Sequence, residues 1–158
     1  MNELRTYIKK NIGVSNYKLS IKYNYDNNEV IYKYLLSNPP ITLLFKEKAN
    51  DISLTYDNKK YSNIYEIYII LYNLTDYTHN IDYIDAYILK SNTHIDDIYN
   101  DYYDDTQKQL ISHRIINHHM LKFISNMDDK NITLYYNLET IYDFDDILKK
   151  IDELILNQ

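Results

Sequence analysis

The sequence predicts an α/β layer in its first half followed by an all-helical second half. Three observations carry this reading. Residues 17–25, YKLSIKYNY, alternate apolar and polar side chains, the period of a strand with one wet face. Residues 51–74, DISLTYDNKKYSNIYEIYIILYNL, change period part-way. Ile52, Leu54 and Tyr56 alternate, and then Ile64, Ile67, Ile70, Leu71 and Leu74 fall on one face of a helix. Beyond the polar residues 75–80 the strand signal fades, and apolar residues recur at helical spacing. The expected organisation is an α/β subdomain over residues 1–78, with an N-terminal extension, and a helical subdomain over residues 79–158. No internal repeat is evident.

In order, residues 2–12 read as a short helix carrying Leu4, Ile8 and Ile12, stopped at Gly13, the single glycine. The strand at 17–25 ends at Asp26-Asn27-Asn28. Residues 29–36 then read as a short helix with Val30, Ile31, Tyr34 and Leu35 inward. Ser37-Asn38-Pro39-Pro40 holds both prolines and breaks the chain. Ile41 to Phe45 is a compact apolar run expected to form an interior strand. A hairpin follows at 52–61, turning at Asp57-Asn58. The next helix opens at Asn63, with Glu66 three residues on in the spacing of a capping box.

Residues 81–105 read as two short helices, the second acidic through Asp96, Asp97, Asp101, Asp104 and Asp105. Thr106 and Gln109 have capping-box spacing and open a helix to Met127, with Ile116, Met120, Phe123 and Met127 on one face. Residues 132–138 are ambiguous: Thr133, Leu134, Tyr135 and Tyr136 favour a strand by propensity, which tertiary packing can override. Asp143 and Asp146 cap a last helix, with Tyr142 placed to pack on Ile147 as a hydrophobic staple.

Composition narrows the function. The chain has 158 residues and a net charge of −6, which opposes the broad basic field of a general nucleic-acid binder. It has no cysteine, hence no disulfide, thiolate metal site or cysteine nucleophile. It has 20 tyrosines and many isoleucines and asparagines, the mark of an AT-rich genome. One glycine cannot build a phosphate-cradling loop. His113, His118 and His119 lack the four-residue spacing of a helical zinc pair, and the acidic run lacks calcium-loop spacing, so no metal and no cofactor are expected. No apolar run is long enough to span a membrane, and a cytoplasmic protein is expected.

The element order and three local stretches resemble the glutathione S-transferase family, in which a thioredoxin-like half precedes a helical half. DISLTYDNKKYSNIYEIYIILYNL is similar to that family's third and fourth strands and third helix. Pro39-Pro40 precedes a strand, as the family's cis-proline does. Tyr142-Asp143-Phe144-Asp145-Asp146-Ile147 resembles the capping box and staple of its sixth helix. The acid that would help hold glutathione is replaced by Tyr61, beside Ser62. The resemblance therefore implies a non-catalytic member, similar to the assembly domains of multi-aminoacyl-tRNA-synthetase complexes. Its partner would be another such domain or a second copy, with no direct contact to nucleic acid or membrane. Tyr65, Tyr68, Ile69 and Tyr72, opposite the core stripe of the third helix, are the expected docking residues.

Two alternatives stand beside this reading. One is a divergent glutathione transferase, with Ser62 holding the peptide and Tyr23 or Tyr25 activating its thiol. The other is a large-DNA-virus protein that binds and blocks a host factor. The favoured reading predicts that the chain passes unretained through glutathione resin, and that added zinc leaves its melting temperature unchanged in a calorimetric scan.

Overall fold

A computed structural model describes residues 1–98 and 101–156, and it overturns the expected fold class. The chain divides into two compact units, Met1–Asp76 and Tyr77–Gln158, each an antiparallel sheet with a helix before and after it. Neither a thioredoxin-like half nor an all-helical half is present.

In the first unit, α1 (Asn2–Asn11) leads into β1 (Tyr17–Asn24), β2 (Glu29–Leu36), β3 (Thr42–Lys48), β4 (Asp51–Tyr56) and β5 (Lys59–Tyr61), then α2 (Ile64–Leu74). The strands lie side by side in sequence order. The register sets Leu19, Tyr34 and Leu43 on one row and Tyr32, Phe45, Leu54 and Tyr61 on the next. Tyr34, Leu43, Phe45 and Leu54 are buried there with Leu4 and Ile8 of α1 and Ile67 and Leu71 of α2. Both helices thus cover one face of the sheet. Burying each large apolar side chain contributes about 1.5–3 kcal/mol. Asn63 caps α2 as expected, its side-chain oxygen accepting from the backbone N–H of Tyr65 at 2.9 Å and of Glu66 at 3.4 Å.

The expected helix over residues 29–36 is β2. Its burial alternates through Tyr32, Tyr34 and Leu36 with Lys33 and Leu35 outside, a strand period. Val30, Ile31, Tyr32 and Tyr34 are β-branched or aromatic, and β1 and β3 supply a ladder on both sides.

The second unit repeats the plan: α3 (Ile81–Leu89), β6 (Ile95–Ile98), β7 (Tyr102–Asp104), β8 (Gln109–Ile116), β9 (His119–Asn126), β10 (Ile132–Tyr136), β11 (Glu139–Ile141) and α4 (Phe144–Leu156). Both β6 and β7 pair with β8, sharing one edge of the sheet. Five strand places result, as in the first unit. The correspondence extends to single residues. Leu4 and Ile8 match Ile84 and Ile88, Leu54 matches Leu134, Phe45 matches Phe123, and Ile67 and Leu71 match Ile147 and Ile151. The chain is a structural tandem repeat, contrary to the sequence expectation.

The expected helix over residues 106–127 is the β8–β9 hairpin. The Thr106 capping box is a turn, in which the Asp104 carboxylate accepts from the N–H groups of Thr106 and Gln107. Two polar residues, Ser112 and Arg114, occupy inward positions of β8 and interrupt its apolar alternation. Of the two helices expected within 81–105, α3 forms and the second is replaced by β6 and β7, while residues 99 and 100 lie outside the described residues. The cap of α4 is present, Asp143 accepting from the Asp146 N–H at 3.1 Å, but Tyr142 stays exposed rather than stapling onto Ile147.

Buried Arg114, only 2% exposed, is bound through two nitrogens to Asp85 of α3, at 2.8 and 3.0 Å, and to Asp101 at 2.8 Å. Burial pushes the Asp85 carboxyl up, against the pull of Arg114. Burial alone would lower Arg114, yet its bonds to the two aspartates outweigh that and raise it. Both shifts are upward, which favours the uncharged acid but the charged guanidinium. The two-pronged geometry is that of an ionised carboxylate, so the pair is charged. In the first unit the same two places hold Arg5 on the helix and Tyr34 on the sheet, with the Arg5 guanidinium 5.5 Å from the ring centre of neighbouring Tyr32. The cation sits on the helix in one repeat and on the sheet in the other.

With one glycine, the chain makes its left-handed turns from other residues. Asp57-Asn58 and Asn137-Leu138 close equivalent hairpins with positive φ at both positions, and Asn117-His118 closes β8–β9 likewise. Leu138 is the misfit, at φ 69° and fully exposed.

Two outcomes are expected in denaturant titrations. Leu138→Gly raises stability by about 1 kcal/mol, because a left-handed non-glycine residue costs about that much. Arg114→Leu alone lowers stability by about 3–5 kcal/mol by stranding Asp85, and adding Asp85→Leu recovers most of the loss.

Candidate functional site

Strand alternation puts a second set of residues on the uncovered face of each sheet. In the first unit these include Lys18 and Lys22 of β1, Lys33 of β2, Lys46 and Lys48 of β3 and Lys60 of β5, all exposed. The register brings them together. One row across the sheet reads Ser20, Lys33, Leu44, Thr55, Lys60, and the next reads Lys22, Ile31, Lys46, Ser53. Lys18 lies opposite Leu35, and Lys48 lies between Glu29 and Asp51. Lys33 and Lys46 sit diagonally on neighbouring strands, about 8 Å apart by sheet geometry. In water that separation gives a mutual repulsion of about 0.5 kcal/mol. None of the six lysines forms an ion pair among the described residues.

Two shallow concavities flank this face. One, of about 570 Å³, is lined by Lys46, Lys48, Lys60, Ser53, Ser62 and Glu29. The other, of about 560 Å³, lies between Pro40 and Asn58 and includes Leu44 and Thr55.

The second unit's uncovered face has a different character. It presents Ile111, His113 and Ile115 of β8, Met120, Lys122 and Ile124 of β9, and Thr133 and Tyr135 of β10. Lys33 corresponds to His113, Lys46 to Ile124 and Lys60 to Thr140. Charge divides the same way. The first unit holds ten basic and eight acidic residues and the second holds seven and fifteen, so the net −6 splits into +2 and −8.

The residues expected from sequence are placed as follows. Tyr65, Tyr68, Ile69 and Tyr72 all lie on α2. Tyr68 and Tyr72 meet the ring of Tyr7 edge-on, at 6.3 and 5.4 Å, joining α2 to α1, while Tyr65 is exposed. Ser62 is exposed just after β5, whereas Tyr23 and Tyr25, stacked at 6.3 Å, belong to β1 and the turn after it. β1 and β5 are opposite edges of the sheet, about 19 Å apart at ordinary strand spacing, so the structure does not bring Ser62 to either tyrosine. His113, His118 and His119 lie on a hairpin rather than a helix, and His119 Nδ1 shares a 2.7 Å hydrogen bond with the Tyr136 hydroxyl. Among the described residues no group of three or more histidines and acids is arranged to hold a metal. No helix among them is long and apolar enough to cross a membrane.

Sequence reasoning passed over the six lysines because they are scattered from residue 18 to residue 60. The available signal was positional. Lys18 and Lys22 both occupy the outward phase of the alternating segment 17–25.

No family model, curated protein or solved structure matches the chain.

If the lysines serve recognition rather than folding, reversing one should leave the fold intact. Lys46→Glu is expected to change unfolding free energy by no more than about 0.5 kcal/mol in urea titration. A loss of several kcal/mol would assign Lys46 a structural role.

Proposed function

We propose that the protein is a non-catalytic protein–protein interaction module, active in the cytoplasm, whose two repeats each present an uncovered sheet face to a partner. One observation carries this reading. The same architecture occurs twice, most of its core positions are apolar in both copies, and its outward positions differ in kind. A sheet packed on one side needs only solvated residues on the other, and either repeat's set satisfies that. Six lysines on one face, and an isoleucine-rich surface with His113 and Met120 on the other, exceed that requirement and differ as two recognition surfaces would. An assembly role in a synthetase-type complex requires a thioredoxin-like topology, which these two antiparallel sheets do not have.

A photo-crosslinking residue placed at Leu44 or at Ile124 tests the proposal in the protein's own cells. The expected product is a discrete crosslinked protein from at least one of the two positions, lost when the same residue is placed at exposed Asn73. Absence of any protein adduct from both faces would overturn the reading.

A further inference from the structure

We propose that the lysine face of the first unit binds an extended acidic polypeptide segment that offers carboxylates and aliphatic side chains in turn along one of its faces, at every second residue. This rests on the interaction-module reading and names the partner chemistry for one of its faces.

Two features set these lysines apart from ordinary surface charge. Lysines on an edge strand often guard against unwanted pairing, which accounts for Lys18 and Lys22 on β1. Lys33 and Lys46 lie on β2 and β3, inner strands already paired on both sides, where no edge needs guarding. The fold does not ask for them either, because the second repeat builds the same sheet with His113 and Ile124 in their places. With no ion pair among the described residues, six ammonium groups face solvent with only Glu29 and Asp51 beside them, both flanking Lys48.

The pattern across the face specifies the ligand. Leu44 lies between Lys33 and Thr55 on one row, with Lys60 beyond, and Ile31 lies between Lys22 and Lys46 on the next. An extended chain shows every second side chain to one face, so the complement is a segment offering carboxylate, aliphatic group and carboxylate at residues i, i+2 and i+4. Nucleic acid fits less well. The rows hold no aromatic ring for a base to stack on and no arginine to grip a phosphate in two-pronged fashion.

Fluorescence anisotropy with the full chain tests this. The probes are a labelled short peptide in which glutamate and leucine take turns at every second residue with serine between them, its counterpart with lysine for glutamate, and labelled oligothymidylate. The glutamate–leucine peptide is expected to bind, weakening about tenfold when Lys33→Glu and Lys46→Glu are combined. It should weaken again when salt rises from about 50 to about 300 mM, and be unaffected by Lys122→Glu on the second unit. Lys33→Gln with Lys46→Gln, which removes charge without reversing it, should show the same loss and serves if the reversed variant does not fold. Failure of the peptide to bind, equal binding by the double variants, or tighter binding of oligothymidylate or of the lysine–leucine peptide would each overturn the inference. If the peptide fails while the crosslinks at Leu44 or Ile124 still capture a protein, the module reading stands and only the acidic-partner inference falls.

Discussion

Side chains of a strand alternate between two faces, and each of these sheets has helices on only one. That constraint organises the molecule. It fixes which residues of each strand pack against the helices and leaves the others, whatever their chemistry, at the surface. Tyr34, Leu43, Phe45 and Leu54 are held inside by it, and Lys33, Leu44 and Lys46 are held outside. A one-residue slip between β2 and β3 would exchange those sets, burying lysines and exposing the core, so the register is strongly specified.

The repeat shows how much of each unit that constraint demands. Most core residues agree in kind between the two copies, and equivalent hairpins turn through the same left-handed pair of positions. At Arg114 the interior departs from apolar packing with compensation. Arg114 replaces a tyrosine in the sheet and Asp85 replaces an arginine on the helix, so the cation and its neighbour exchange sides. A buried guanidinium is tolerable here because Asp85 and Asp101 satisfy it. The outward residues show no such agreement, and their divergence from lysine to isoleucine and histidine is what points to two separate recognition surfaces.

Part of this was legible in the sequence. The hairpin at 52–61, α2 with its Asn63 cap and α4 with its Asp143 cap all carry short-range signals, in which alternation gives way to helical spacing just after a capping side chain. α1 and β1 were legible for the same local reasons. β2 was not, because Val30, Ile31, Tyr34 and Leu35 also fit a helical stripe and only the flanking ladders choose between the two periods. The β8–β9 hairpin was hidden by Ser112 and Arg114, buried polar residues at inward positions, and the partners of Arg114, Asp85 and Asp101, are not its neighbours in the chain.

The sequence by itself thus determined the local punctuation, the net acidity and the lack of thiol chemistry, because each is a property of neighbouring residues or of composition. The tertiary structure alone decided that ambiguous segments are strands, that the plan is used twice, and that scattered lysines share one face. Those facts depend on cross-strand register, which pairs residues remote in the chain and leaves no trace in any single stretch of it.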